Sequence, residues 1–125
     1  MNVSVIIPTF NEEKYITACL RSIGNQTIKP SEVIVVDNNC VDRTVALAKK
    51  FNVKVVKEAR QGMTYSRARG FSEGRSEILA RCDADTILPP NWIERIIFNF
   101  TKRKKIDGLI GLNTVYDFPI KNVKL

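Results

Sequence analysis

Histidine is missing altogether from this chain of 125 residues, and its three cysteines (Cys19, Cys40 and Cys82) stand far apart with no CxxC pair. Without imidazoles or paired thiolates, a zinc site is nearly excluded. An odd, scattered set of cysteines reads as reduced thiols, the state kept in a cytoplasm. No window approaches the ~18 consecutive apolar residues of a membrane span. The opening MNVSVIIPTF lacks a basic leading region and meets Pro8 early, so it is not read as a secretory signal. Repeats, low-complexity tracts and linkers are also missing. Residues 1–125 are therefore expected to form one domain, long enough to bury a core.

Acidic residues are in short supply too, 13 against 20 lysines and arginines, for a net charge of +7. That balance favours an anionic partner, and nucleic acid, acidic lipid and a phosphorylated small molecule all qualify. A hydrophobic fraction of 44% with 26% charged residues is ordinary for a globular protein. The one dense basic cluster, Lys102, Arg103, Lys104 and Lys105, is expected at a solvated helix end, where cations suit the dipole.

What is present alternates between two patterns. VSVII (Val3–Ile7), EVIVVD (Glu32–Asp37), VKVV (Val53–Val56), EILARC (Glu77–Cys82) and GLIGL (Gly108–Leu112) are short and aliphatic. The first, second and last are near-continuous apolar runs, as strands covered on both faces should be. Between them, Ile16, Cys19, Leu20 and Ile23 predict a helix within Asn11–Gly24, with Gly24 as its stop. Val45, Ala48 and Phe51 predict a shorter helix after Asp42. Ile93, Ile96, Ile97 and Phe100 predict another, opened by Pro89-Pro90. Residues 62–74 form a weaker helical candidate, interrupted by Gly62, Gly70 and Gly74. This alternation predicts an α/β fold, an open and mostly parallel sheet with helices on both faces.

Such sheets bind ligands at the carboxyl ends of their strands. The segment Pro8–Glu12 follows the first strand, Asp37-Asn38-Asn39 the second, and Asp83-Ala84-Asp85 the fourth, so all three should share one rim. At a strand end, Asp83 and Asp85 project to the same side. Two such carboxylates repel unless a cation or shared proton lies between them. A hard divalent ion, Mg²⁺ or Mn²⁺, takes one or two carboxylates together with phosphate oxygens, which points to a metal bridging protein and diphosphate. Small Ala84 would let a phosphate approach the backbone. The plainer alternative is that both aspartates are turn or capping residues. Asp37 suits a nucleobase N–H or a ribose hydroxyl, or else a cap, although Asp42 is better placed to cap a helix at Arg43. Thr9 can offer its backbone or hydroxyl to a flat base. Asn11, Glu12 and Glu13 equally suit a helix N-terminus. Arg60, Arg67 and Arg69 are candidates for a phosphate clamp or for an exposed helix face.

Three stretches, VSVIIPTFNEEKYITACLRSIGNQTIKPSEVIVVDNNCVDRT, GMTYSRARGF and ILARCDAD, resemble the nucleotide-binding half of glycosyltransferase family 2. The resemblance covers roughly residues 2–100 in order and spacing. It implies the GT-A fold, which is Rossmann-like, and an inverting sugar transfer from a nucleoside-diphosphate sugar. Pro8, Thr9, Phe10 and Glu12 match the family's base- and ribose-lining loop. Asp37 matches the acid that meets the base, usually uracil, and Asn39 shares its loop. Arg67 matches a basic residue near the diphosphate. Asp83, Ala84 and Asp85 match the DxD motif, with Asp83 near the ribose and Asp85 on the metal, Mn²⁺ or Mg²⁺. Cys40 stands where Ser is usual, Ala68 where Asn is, and Gly74 and Ser76 replace Ala and Gly.

Inversion by single displacement needs a general base for the acceptor hydroxyl. Asp107 and Asp117 are available, yet neither lies in a family motif, and no base is assigned. The expectation is a metal-dependent glycosyltransferase using a UDP-sugar; the alternative is a truncated or non-catalytic donor-binding module lacking most of the acceptor-binding part. A basic RNA-binding domain is disfavoured, because such sheets expose aromatics and these strands carry none. The resemblance further implies cell-envelope polysaccharide or lipid-linked acceptors and a cytoplasmic setting, with Lys102–Lys105 as a peripheral membrane contact.

Overall fold

The computed structural model describes residues 1–103 and 106–110. Eight elements alternate along it: β1 (Val3–Thr9), α1 (Ile16–Gly24), β2 (Glu32–Asp37), α2 (Thr44–Ala48), β3 (Lys54–Lys57), α3 (Met63–Glu73), β4 (Ile78–Arg81) and α4 (Trp92–Lys102). The strands form one sheet in the order β3-β2-β1-β4, and every pairing is parallel. The chain steps outward from β1 to β2 to β3, then crosses to the other side of β1. The strand order therefore switches beside β1, and a ligand crevice is expected where it does.

Alternation along β1 divides the core. Val3, Val5 and Ile7 join Val33 and Val35 of β2, Ile78 and Ala80 of β4, and residues of α1, α2 and α4. Ile6, Ile34, Val36 and Val56 form the opposite cluster. That second face is covered by α3, because a methyl group added at Gly70 would run into Ile6 and Val36. Helices thus lie on both faces, and β1 is buried throughout. Each such Val or Ile contributes roughly 1.5–3 kcal/mol on leaving water.

The glycines of the third helical segment have separate tasks. Gly62 precedes α3 at φ 134°, Gly70 permits close helix–strand contact, and Gly74 ends the helix. None of them breaks it.

Other boundaries shift. Helix α1 begins at Ile16 rather than near Asn11, after a turn in which the Ile16 amide donates to the Glu12 carbonyl at 2.9 Å. Pro89 and Pro90 lie just before α4 instead of in its first turn, and the Trp92 amide donates to the Pro89 carbonyl at 3.1 Å. Buried Gln26 locks that start in place, donating to the Pro89 carbonyl at 2.7 Å and accepting from the Ile93 amide at 3.0 Å. Gly108 to Ile110 are not in a strand, and the rest of the expected fifth strand lies outside the described residues. Lys102 closes α4 with its ammonium 5.2 Å from the Phe98 ring, and Arg103 follows as the cap; Lys104, Lys105 and Asp117 lie outside the described residues. Among the described residues, no helix is long and apolar enough to cross a membrane.

Candidate functional site

Because all four strands run the same way, the loops after β1, β2 and β4 do meet on one rim. Two of them are stitched together. The Glu12 amide donates to Thr44 Oγ1 at 2.7 Å, the Glu13 amide to Asp42 Oδ2 at 3.1 Å, and the Arg43 amide to Glu13 Oε2 at 3.1 Å. Asn11, at φ 52°, accepts the Val41 amide at 2.8 Å. Glu13 therefore does not cap α1, as its position suggests, but holds the amide of Arg43, the residue before α2. Asp42 Oδ1 accepts from both the amide and hydroxyl of Thr44, at 3.0 and 2.6 Å.

Thr9 departs from expectation. Its hydroxyl donates inward to the Val36 carbonyl at 2.7 Å, and the residue is 2% exposed. It joins β1 to β2, leaving no hydroxyl proton for a base. Phe10, 52% exposed, is the flat surface at this strand end. Asp37 accepts the Cys40 amide at 2.9 Å and lies 3.7 Å from Lys57 Nζ, its register partner on β3. Partial burial pushes the Cys40 thiol up, so the cysteine in the usual serine position stays protonated while it meets the Asn11 amide at 3.4 Å.

The next two asparagines do different work. Asn39, at φ 63°, donates to the Ala59 carbonyl and to Gln61 Oε1, both at 3.0 Å. Asn38 is buried and holds the chain on either side of that point. Its Nδ2 donates to the carbonyls of Glu58 and Arg60 at 2.9 and 2.8 Å, and its Oδ1 accepts the Gly62 amide at 3.0 Å. These bonds fix the approach to α3. A cleft of about 160 Å³ results, walled by Pro8, Phe10 and Glu12 on one side and by Gln61, Gly62, Met63 and Ser66 on the other, with Thr9 and Asn38 between them. Sequence reasoning put Asn38 on the rim without a role and missed Gln61, Gly62, Met63 and Ser66 as lining residues. Only the turn-forming Asp-Asn-Asn run hinted at Asn38.

The three candidate arginines separate clearly. Arg60 is committed to Glu58 at 2.8 Å and lies over the Tyr65 ring at 4.6 Å. Arg69 pairs with Glu73 one helical turn on, at 3.0 Å. Arg67 Nε, by contrast, is buried with no hydrogen-bond partner, and Ser66 Oγ shares that condition among the described residues. A buried guanidinium N–H left unmatched suits an incoming anion.

After β4 the chain makes a turn closed by the Thr86 amide on the Asp83 carbonyl at 3.1 Å. Asp83 and Asp85 are exposed, while Ala84, 1% exposed, packs its methyl into the core beneath them. Ala84 thus anchors the turn and does not face a ligand with its side chain. Cys19 and Cys82 lie underneath: Cys19 Sγ meets the Asp83 carbonyl at 3.7 Å, and the Cys19 contact together with burial pushes the Cys82 thiol well up. Arg81 Nη1 lies 2.7 Å from Asp83 Oδ1. Across the crevice, burial and then the charges of Asp85, Asp83 and Asp42 push the Glu12 carboxyl up.

No three acidic, thiol or imidazole groups among the described residues stand together as a metal cage. Asp83 and Asp85 offer hard oxygens from one turn, so a cation there needs further ligands from phosphate and water. That is the habit of Mg²⁺ and Mn²⁺, and the donor set fits them.

Comparison with known proteins agrees with this geometry. The model of the family described as "Glycosyl transferase family 2" matches residues 4–117. Glycosyltransferase AglE of Haloferax volcanii is 33% identical over 125 residues, spanning 94% of this chain and 40% of its own length. The crystal structure of S. aureus TarS 1-349 in complex with UDP-GlcNAc has a TM-score of 0.77 at 26% identity, covering 93% of this chain and 37% of that one. A mannosyltransferase from Pyrobaculum calidifontis, solved with GDP-Man and Mn²⁺, has a TM-score of 0.70 at 27% identity, covering 77% and 31%. The chain therefore spans well under half the length of the relatives it matches. A family match over residues 4–117, on an all-parallel sheet of this order, identifies the chain as a member of glycosyltransferase family 2.

Proposed function

We propose that this rim binds the donor of an inverting sugar transfer, a UDP-sugar held with Mn²⁺ or Mg²⁺, whose sugar passes to an acceptor hydroxyl. The observation that supports the reading is that the parallel strands β1, β2 and β4 end on one rim, with Phe10, Asp37, Asp83 and Asp85 at or just beyond those ends. In this reading Pro8, Phe10 and Glu12 line the base and ribose, and the backbone of Thr9 continues that wall. Asp37 accepts from the base and Asn39 holds its loop. Arg67 donates to the diphosphate, while Asp83 meets the ribose. Asp85, with Asp83 beside it, holds the cation through carboxylate oxygen, and Ala84 supports both from below. The cation, when bound, supplies Lewis acidity that neutralises charge on the departing diphosphate. The protein's share is to orient the donor and keep its base and phosphates in register.

Calorimetric titration with UDP and with GDP, each with and without Mn²⁺, tests the reading. Metal-enhanced binding that favours UDP is expected; binding of neither nucleotide would sink it. Release of UDP from UDP-sugars, with and without acceptor, then separates a transferase from a donor-binding module that does not turn over. We infer further a cytoplasmic enzyme whose Lys102 and Arg103, beside exposed Phe98, touch acidic lipid while it serves lipid-linked or envelope acceptors. Each cation is worth about 1 kcal/mol at most. Failure to bind anionic vesicles at low salt removes that contact.

A further inference from the structure

The pair between Arg81 and Asp83 has no evident structural duty. It joins two side chains that are 33% and 54% exposed, and such surface pairs add little to stability. Arg81 is the last residue of β4, and its side chain follows Leu79 onto the α3 face, opposite to buried Ala80. Two residues further on, Asp83 projects the same way, so β geometry itself brings the guanidinium to the carboxylate. The pairing has a counterpart across the rim, where Lys57 at the end of β3 meets Asp37 at the end of β2. Near the crevice, the carboxylates of Asp85, Asp83 and Asp42 already act on Glu12. A diphosphate arriving there without a cation meets that charge directly.

We propose that Arg81 is an internal counter-ion that neutralises Asp83 when no metal is bound, so that a nucleoside diphosphate can bind the rim before or without its cation. Arg81 is thus a positioning residue for the donor, acting through Asp83. The inference rests on the donor-binding reading above and adds a graded, rather than absolute, metal requirement for binding. With a divalent ion present, Asp83 is neutralised by the ion and Arg81 becomes redundant. Without one, loss of Arg81 leaves a bare carboxylate beside an anionic ligand.

The test is UDP affinity, measured by calorimetry at low salt in EDTA and in saturating Mn²⁺, for the 125-residue chain and for Arg81→Met and Arg81→Lys. Arg81→Met is expected to weaken metal-free UDP binding about tenfold, the order that one uncompensated charge beside a dianion gives in a water-like dielectric. Its affinity in Mn²⁺ should change less than about threefold, and Arg81→Lys should restore metal-free binding. The metal-free loss should shrink at high salt as screening takes over. Equal weakening with and without Mn²⁺ would make Arg81 a direct phosphate ligand or a packing residue and overturn the proposal; so would no change in EDTA. Unaltered thermal melting of both variants separates these results from misfolding. If the wild-type chain binds no UDP at all, the donor-binding reading itself fails; if it binds but the variants track it, only the role of Arg81 fails.

Discussion

Replacing Asn38 by Ala should damage this protein more than any substitution at the exposed carboxylates. Asn38 is 2% exposed and uses both ends of its amide. The substitution removes donors from two carbonyls, Glu58 and Arg60, and acceptors from the Gly62 amide and Gln61 Nε2, with bond lengths from 2.8 to 3.3 Å. At about 1 kcal/mol net per hydrogen bond, and more for the Glu58 carbonyl left dry, the loss comes to about 3–4 kcal/mol. That is a large part of the ~5–15 kcal/mol a domain possesses. Equilibrium urea denaturation should show the midpoint falling at constant m-value, with the melting temperature lower by roughly 10–15 °C. Asn38→Asp provides the sharper control. It keeps an acceptor for Gly62 but turns carboxylate oxygen toward two carbonyls, so at neutral pH it should do no better than alanine. A cost under about 1 kcal/mol for Asn38→Ala, or wild-type stability for Asn38→Asp, would refute the claim that this amide holds the wall of the cleft.

Other consequences can be checked alongside. Gly70→Ala would push a methyl group into Ile6 and to 3.1 Å from Val36, costing about 1–3 kcal/mol; an unchanged melting temperature would mean that α3 moves freely off the sheet. Asp85→Asn should remove most of the Mn²⁺-dependent gain in UDP affinity, and calorimetry showing that gain intact would count against Asp85 as the cation's carboxylate. Glu12 has a folded-state pKa raised above the usual 4.5, chiefly by burial, so the folded chain holds that proton more tightly than the unfolded one. Stability from this group therefore falls as pH rises past the usual value and stays lower above the folded one. Glu12→Gln should raise the melting temperature of the metal-free protein at neutral pH and lose the advantage in acid; an equal gain at both would sink the electrostatic explanation.

How far the sequence could be read depended on whether a residue's role was local. Strand β2 was legible to the residue, Glu32–Asp37, since a run buried on both faces is apolar throughout. The rim followed from connectivity alone, because parallel strands put their ends together. Helix α3 was obscured by treating its glycines as breakers, when Gly70 is required by the approach of β1, a distant contact. Thr9 failed for the same reason: its proton goes to Val36, and only the register of β1 on β2 reveals that. The arginines were partly readable. Arg69 and Glu73 at i, i+4 announced their own pairing. The pairing of Arg60 with Glu58 and of Arg81 with Asp83, both at i, i+2, needed only the assumption of extended chain.

That last pattern alters how the two aspartates should be understood. A carboxylate pair in a basic protein looks like an isolated request for a metal, and the argument from like-charge repulsion treats both acids as equally in need of a cation. Here Asp83 already has a guanidinium 2.7 Å away. In the metal-free state Asp83 can meet a neutral hydroxyl while Arg81 balances its charge from behind.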